Sequence, residues 1–127
     1  MKRLALVLVL GMVLACSHDN GPTAGLLNVN LSTPNSGGDG AVLLTVMGPQ
    51  ALTSAAAASG LTLYSTGAPY GTTNRFIVVG TLPSSTILTI GVTDLSKASS
   101  YSVSINQVAA NDYSLRSLVG YSAILAH

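Results

Sequence analysis

The chain has one cysteine, one phenylalanine, no tryptophan and no glutamate, and only 7% of its 127 residues are charged. Each shortage excludes something. With Cys16 alone no intramolecular disulfide can form, so the fold must stand on burial of apolar surface. The histidines, His18 and His127, lie near the two ends of the sequence, where no rigid shell can hold them beside a nucleophile. Without glutamate, and with Asp19, Asp39, Asp94 and Asp112 scattered, no carboxyl pair is set up for general acid and base work. No catalytic residue is therefore assigned, and an enzyme is not expected. Metal and cofactor binding are not expected either. No pair of soft ligands exists. Asp39, in Gly37-Gly38-Asp39-Gly40, offers a single carboxylate where calcium takes about six to eight oxygens, so it reads as a turn residue. No Lys-Ser/Thr pair and no helix pattern follow these glycines, which excludes a phosphate loop. Five cations in all make no basic stripe, so nucleic acid is not an expected partner.

What is present begins at the N-terminus. Lys2 and Arg3 precede a run from Leu4 to Leu14 with hardly a polar atom, and Ala15-Cys16-Ser17 follows. A membrane-spanning helix needs about 20 apolar residues, whereas a signal-peptide core needs about 7–15. Ser17-His18-Asp19-Asn20-Gly21-Pro22 cannot continue in hydrocarbon. Val13-Leu14-Ala15-Cys16 resembles the lipobox of bacterial lipoproteins, in which a small residue precedes an obligatory cysteine. Leu14 departs from that pattern, since a small residue is more usual there. The resemblance implies cleavage after Ala15, lipidation of Cys16, export, and attachment to a membrane through the N-terminal lipid. Ser17 stands where an aspartate would retain some lipoproteins in the inner membrane, which favours the outer membrane or cell surface. The other reading is an ordinary secretory signal with an incidental cysteine.

The organisation expected is a signal peptide over residues 1–15, a lipidated Cys16 with a flexible tether to residue 25, and one domain over residues 26–127. Beyond the signal, Arg75, Lys97 and Arg116 stand against Asp19, Asp39, Asp94 and Asp112. Ser, Thr, Asn and Gly must supply the polar surface, a composition that suits strands and turns. Leu27, Val29 and Leu31 alternate with Asn28, Asn30 and Ser32, the mark of a half-buried strand. Pro34 to Gly40 reads as a turn. Ala41 to Met47 is apolar on both faces and so predicts a central strand. Gln50 to Ser59, rich in alanine, reads as a short helix or coil. Further strands are expected over 61–65, 75–81, 87–92, 101–108 and 121–125. The alternation slips at Gln107-Val108, which predicts a bulge. Short strands separated by regular turns argue for an all-β fold, a single antiparallel β-sandwich.

Two patterns sharpen the fold. In Leu95 to Ile105 a tyrosine, Tyr101, opens a strand six residues after a leucine. This resembles the tyrosine corner of Greek-key sandwiches of the immunoglobulin and fibronectin type III kind, in which the phenol oxygen reaches back to a backbone group upstream and pins the crossing between the sheets. It can equally be a plain strand tyrosine. Separately, Gly40 to Val46 with Gly48-Pro49, then Thr86 to Ile90 and Tyr101 to Asp112, are similar to strands of cohesin-type domains, which are jelly rolls. That resemblance implies a fold and a kind of work: holding proteins together, or in related modules binding carbohydrate, at the cell surface. The expected function is a non-catalytic binding, adhesion or assembly module with a protein or glycan partner. The alternatives are a structural or envelope-assembly lipoprotein and a carbohydrate-binding module. Tyr70 and Tyr113, in loops, are the exposed ring candidates for such contact, with Arg116 beside Tyr113. Phe76 and Tyr101 are expected in the core, and Asp94 and Asp112 in turns.

Overall fold

The computed structural model describes residues 21–127. The expected signal peptide, Cys16 and the first part of the tether lie outside the described residues. The described residues form eight strands in chain order: β1 (Gly25–Ser32), β2 (Asp39–Met47), β3 (Ser54–Ala57), β4 (Thr62–Tyr64), β5 (Thr73–Val79), β6 (Thr86–Val92), β7 (Ser102–Ala110) and β8 (Ser122–Ala126). A short 3-10 turn, Leu95–Ser100, precedes β7. All pairings are antiparallel. Sheet A has the order β3-β6-β1-β8 and sheet B the order β4-β5-β2-β7. The two sheets pack face to face as a β-sandwich. β1 pairs β8, β2 pairs β7, β3 pairs β6 and β4 pairs β5. This is the nesting of one long hairpin folded over on itself. The joins β1–β6 and β2–β5 complete the sheets.

Alternation in the sequence places the core. Leu27, Val29 and Leu31 of β1 face Val42, Leu44 and Val46 of β2 across the sandwich, with Phe76, Val78, Leu88, Ile90, Val92 and Val108 filling the layer between. Where a bulge interrupts pairing, the alternation shifts. Val29 pairs Leu88 but Asn30 pairs Thr86, so Ile87 is extra, and Ile87 and Leu88 are both fully buried. The bulge expected near Gln107 lies at Asn106, between Leu43–Gln107 and Leu44–Ile105.

Several expectations are corrected. Ser54–Ala57 is an edge strand, although alanine favours helix; its register on β6 supplies backbone partners that a lone helical turn would lack. Tyr101 is buried as expected, and the backbone group its oxygen approaches is the Gln50 carbonyl, 3.5 Å away and 51 residues upstream. Its ring covers Gly48, leaving no room there for a side chain. The Pro34–Gly40 turn ends early, because β2 already begins at Asp39. At the start of the domain the Thr23 carbonyl accepts a 2.8 Å bond from Leu95 N–H.

Candidate functional site

The strand directions give the sandwich two ends. Residues 21–24, the 48–53 and 65–72 loops and the 3-10 turn lie at one. The 33–38, 80–85 and 111–121 segments lie at the other, remote from Gly21. A chain of polar side chains organises that remote end, and its hub is Asp39, which is fully buried.

Asp39 is inward because of a second bulge. Asp39 pairs Ala110 and Ala41 pairs Ala109, so Gly40 is extra. Val42, Leu44 and Val46 point inward, so strict alternation would turn residue 40 inward and residue 39 out. The inserted residue reverses this. A Cβ on Gly40 would stand 3.1 Å from the Ala110 carbonyl oxygen and 3.2 Å from Asn111 Cα, so glycine is what lets the strands close there.

A buried carboxylate needs donors, and Asp39 has three. Arg116 Nε donates to Oδ1 at 2.8 Å, Tyr121 O–H donates to the same oxygen at 2.9 Å, and Thr33 O–H donates to Oδ2 at 2.5 Å. Arg116 Nη2 also donates to the Gly38 carbonyl at 3.1 Å. A second layer is satisfied in turn: Asn35 Nδ2 donates to the Tyr121 oxygen at 3.0 Å and Asn35 N–H to the Thr33 oxygen at 2.9 Å. Asp39 is thus not a simple turn residue, and Arg116 is not a free ligand group. Its guanidinium is engaged, with its side chain 31% exposed. No buried side-chain polar atom among the described residues lacks a partner.

This network pins the 111–121 segment, which in turn exposes apolar side chains. Tyr113 is 90% exposed, Leu115 70% and Val119 84%. Residues 114–116 lie along the edge of β7: Ala110 N–H donates to Ser114 O and Arg116 N–H to Val108 O, both at 2.8 Å. Tyr113 adopts φ of +67°, a conformation uncommon for a bulky residue. The preceding Asp112 takes the N–H and O–H of Ser114 on Oδ1 at 3.1 and 2.6 Å. The Ser114 hydroxyl holds the Asp112 carboxyl below its ordinary value.

The exposed leucine continues onto the outer face of sheet B. Tyr64, Ile77 and Leu43 stand side by side on β4, β5 and β2, and Val79, Ala41 and Ala109 form the neighbouring row. A shallow groove of about 140 Å³ runs between Leu43, Ile77, Ala109 and Leu115. It adjoins a wider recess of about 430 Å³ bounded by Ala41, Val79, Thr81, Asn111 and Tyr113. Among the described residues Arg75, beside Thr45 in the next row, is the only charged side chain of this face. The outer face of sheet A differs. There Thr89 bonds Asn28 at 3.1 Å and Thr86 bonds Asn30 at 2.5 Å, so polar pairs cover its centre.

Of the expected ring candidates, Tyr113 is exposed and lines the recess. Tyr70 is corrected: it is half-buried against the core, its ring 5.9 Å from that of Phe76. The 65–72 loop folds back over the end of the sandwich, and the ring takes the apolar contact available. Tyr64 and Leu115 are not among the contact candidates that the sequence offers. Tyr64 follows the period of its short strand, but nothing local marks Leu115 as the neighbour of Ala109. At the end near Gly21, a recess of about 600 Å³ lies between residues 21–23, Asp94–Ser96 and His127. The Asp94 carboxylate there is taken by Ser96, whose hydroxyl at 2.7 Å holds it below its ordinary value. No three His, Cys, Asp or Glu residues come together in a metal-holding group among the described residues. Comparison with protein-family models, curated proteins and solved structures finds no match.

Proposed function

We propose that this protein is a non-catalytic module of the bacterial envelope, held to a membrane by lipid on Cys16, that binds another protein through the outer face of sheet B and the 111–121 loop. One observation carries the reading: the contiguous apolar surface from Tyr64 through Ile77 and Leu43 to Leu115 and Tyr113. Rows of this kind left open on a domain mark interaction surfaces. The lining is mainly alanine, valine, isoleucine and leucine, which suits the apolar side chains of a protein. A sugar-binding groove needs several converging donors and acceptors beside its rings. The Asp39 network fixes the loop in place before any partner arrives, which lowers the ordering cost of association. Its loop part, Tyr113 and Leu115, lies at the end away from Gly21, so a tether from Cys16 would leave that part facing outward. The cohesin-like resemblance implies the same kind of work.

The test is site-specific photocrosslinking in growing cells, with a photoreactive residue at Leu115 or Ile77 and, as control, at Asn28 on sheet A. A discrete protein adduct at 115 and 77 but not at 28 is the expected result. Equal labelling at all three positions, or none, would count against the surface. Glycan-array binding lost in Leu115→Ala would move the reading to a carbohydrate-binding module. The anchor is tested separately: alkyne fatty-acid labelling should disappear in Cys16→Ala.

A further inference from the structure

On β5, Thr73, Arg75 and Ile77 are exposed while Asn74, Phe76 and Val78 are buried or nearly so. Arg75 and Ile77 therefore look out from the same face of sheet B. Arg75 pairs Thr45, and Thr45 pairs Ser104 of β7. Beside them Thr45 O–H donates to Asn106 Oδ1 at 2.6 Å. The face is thus graded along its strands. One row holds Val79, Ala41 and Ala109, and the next Tyr64, Ile77 and Leu43. The row after that is polar, with Arg75, Thr45 and Ser104. Side chains two residues apart on a strand stand about 7 Å apart, so the guanidinium borders the apolar rows directly.

A guanidinium cannot shed its charge. Covering it with protein leaves a desolvated cation unless a carboxylate meets it. Among the described residues the one ion pair joins Arg116 to Asp39, and no carboxylate stands on this face. Asp94 and Asp112 each accept from a serine two residues on, Ser96 and Ser114. Resting on the binding surface proposed above, we propose that Arg75 selects the partner. The occupant of this face is a different protein that lays an aliphatic cluster on Leu43, Ile77 and Leu115. It carries one aspartate or glutamate about 7 Å from that cluster, the spacing of the rows, to meet the guanidinium. The fork of Arg75 can take both carboxylate oxygens at once. An aliphatic surface without the carboxylate strands the cation and is rejected, which is how a single charge confers specificity. A second copy of this chain is disfavoured, because the described carboxylates are already held in the fold.

The experiment takes the protein crosslinked at Leu115, identified by mass spectrometry and purified. Its Kd is measured for the full chain in mild detergent, with wild type, Arg75→Glu, Arg75→Gln, Arg75→Lys and Lys97→Glu. Lys97 is an exposed cation in the 3-10 turn, off this face. Arg75→Glu should raise Kd by about tenfold or more, since like charges meeting across an interface repel strongly. Arg75→Gln, which removes the charge alone, should raise it less. Arg75→Lys should retain most of the affinity, and Lys97→Glu should leave it unchanged. Circular dichroism should show all four variants folded as wild type. Changing the partner's acidic residue nearest the crosslink to lysine should restore binding to Arg75→Glu. A Kd that Arg75→Glu and Arg75→Gln leave unchanged overturns the role of Arg75 while the binding surface stands. So does a charge swap that restores nothing, or an adduct at Leu115 made of two copies of this chain. The absence of any wild-type adduct at Leu115 removes the surface itself and the role of Arg75 with it.

Discussion

Near Gly21, Asp94 turns its carboxylate onto Ser96, two residues away. At the opposite end, Asp39 reaches Thr33, Arg116 and Tyr121, which lie 6, 77 and 82 positions away. Both are aspartates next to a turn, and both have their oxygens satisfied. The first makes a local turn that folds with its own neighbours. The second exists only when β2, the 33–38 loop and the 111–121 segment have all met. Asp94 is itself largely buried, but its partner is local, whereas removing a partner from the fully buried Asp39 leaves a charge that no neighbour in sequence can compensate. The remote end should therefore be much the more sensitive to substitution.

The largest expected effect is that of Arg116→Ala, which strands the Asp39 carboxylate, or of Asp39→Ala, which strands three donors. Either should cost about 3–5 kcal/mol, read by urea unfolding. A loss below about 1 kcal/mol, the size of an ordinary surface change, would erase the contrast between the ends. Next is Gly40→Ala. Its methyl group would meet the Ala110 carbonyl, and the strain should cost about 1–3 kcal/mol. If the bulge relaxes instead, Asp39 should turn outward and the loss should approach that of Asp39→Ala. Tyr121→Phe removes one donor to Asp39 and the acceptor of Asn35, and should cost about 1 kcal/mol while Arg116 still holds the carboxylate. The smallest effect is expected at the other end, for Asp94→Ala. The folded state lowers the Asp94 pKa from an ordinary 3.8. Its contribution is thus complete well above that value and fades as pH falls through the depressed native one. Wild type and Asp94→Ala should differ slightly at pH 7 and converge in acid. A difference that grows in acid would reverse the assigned cause.

The same contrast explains what could be read in advance. Alternation in Leu27–Leu31 and the two-faced apolar run of Ala41–Met47 are local signals, and β1 and the central β2 follow from them. The slip near Gln107 was enough to locate a bulge within a residue or so. Asp94 and Asp112 form turns because their partners lie two residues on. Asp39 had no such local cue: its inward turn depends on Gly40 being extra against β7, a fact of pairing. Arg116 and Leu115 likewise take their roles from strands far away in the chain. The alanines of β3 favour helix in isolation and become a strand only because the edge of β6 is there to receive them.

The nested pairing also governs when the sandwich can close. β4 and β5 are neighbours in the chain, while β1 and β8 are separated by six other strands. Loop closure between distant segments is slow, and here it cannot begin until the far segment exists. A chain emerging N-terminus first from a ribosome or a translocation pore shows β1 long before β8. β6 arrives in time to cover one side of β1, and the other side stays open until residues 122–126 are free. A stall shortly before Ser122 therefore leaves β1, an inner strand of sheet A, as an uncovered edge.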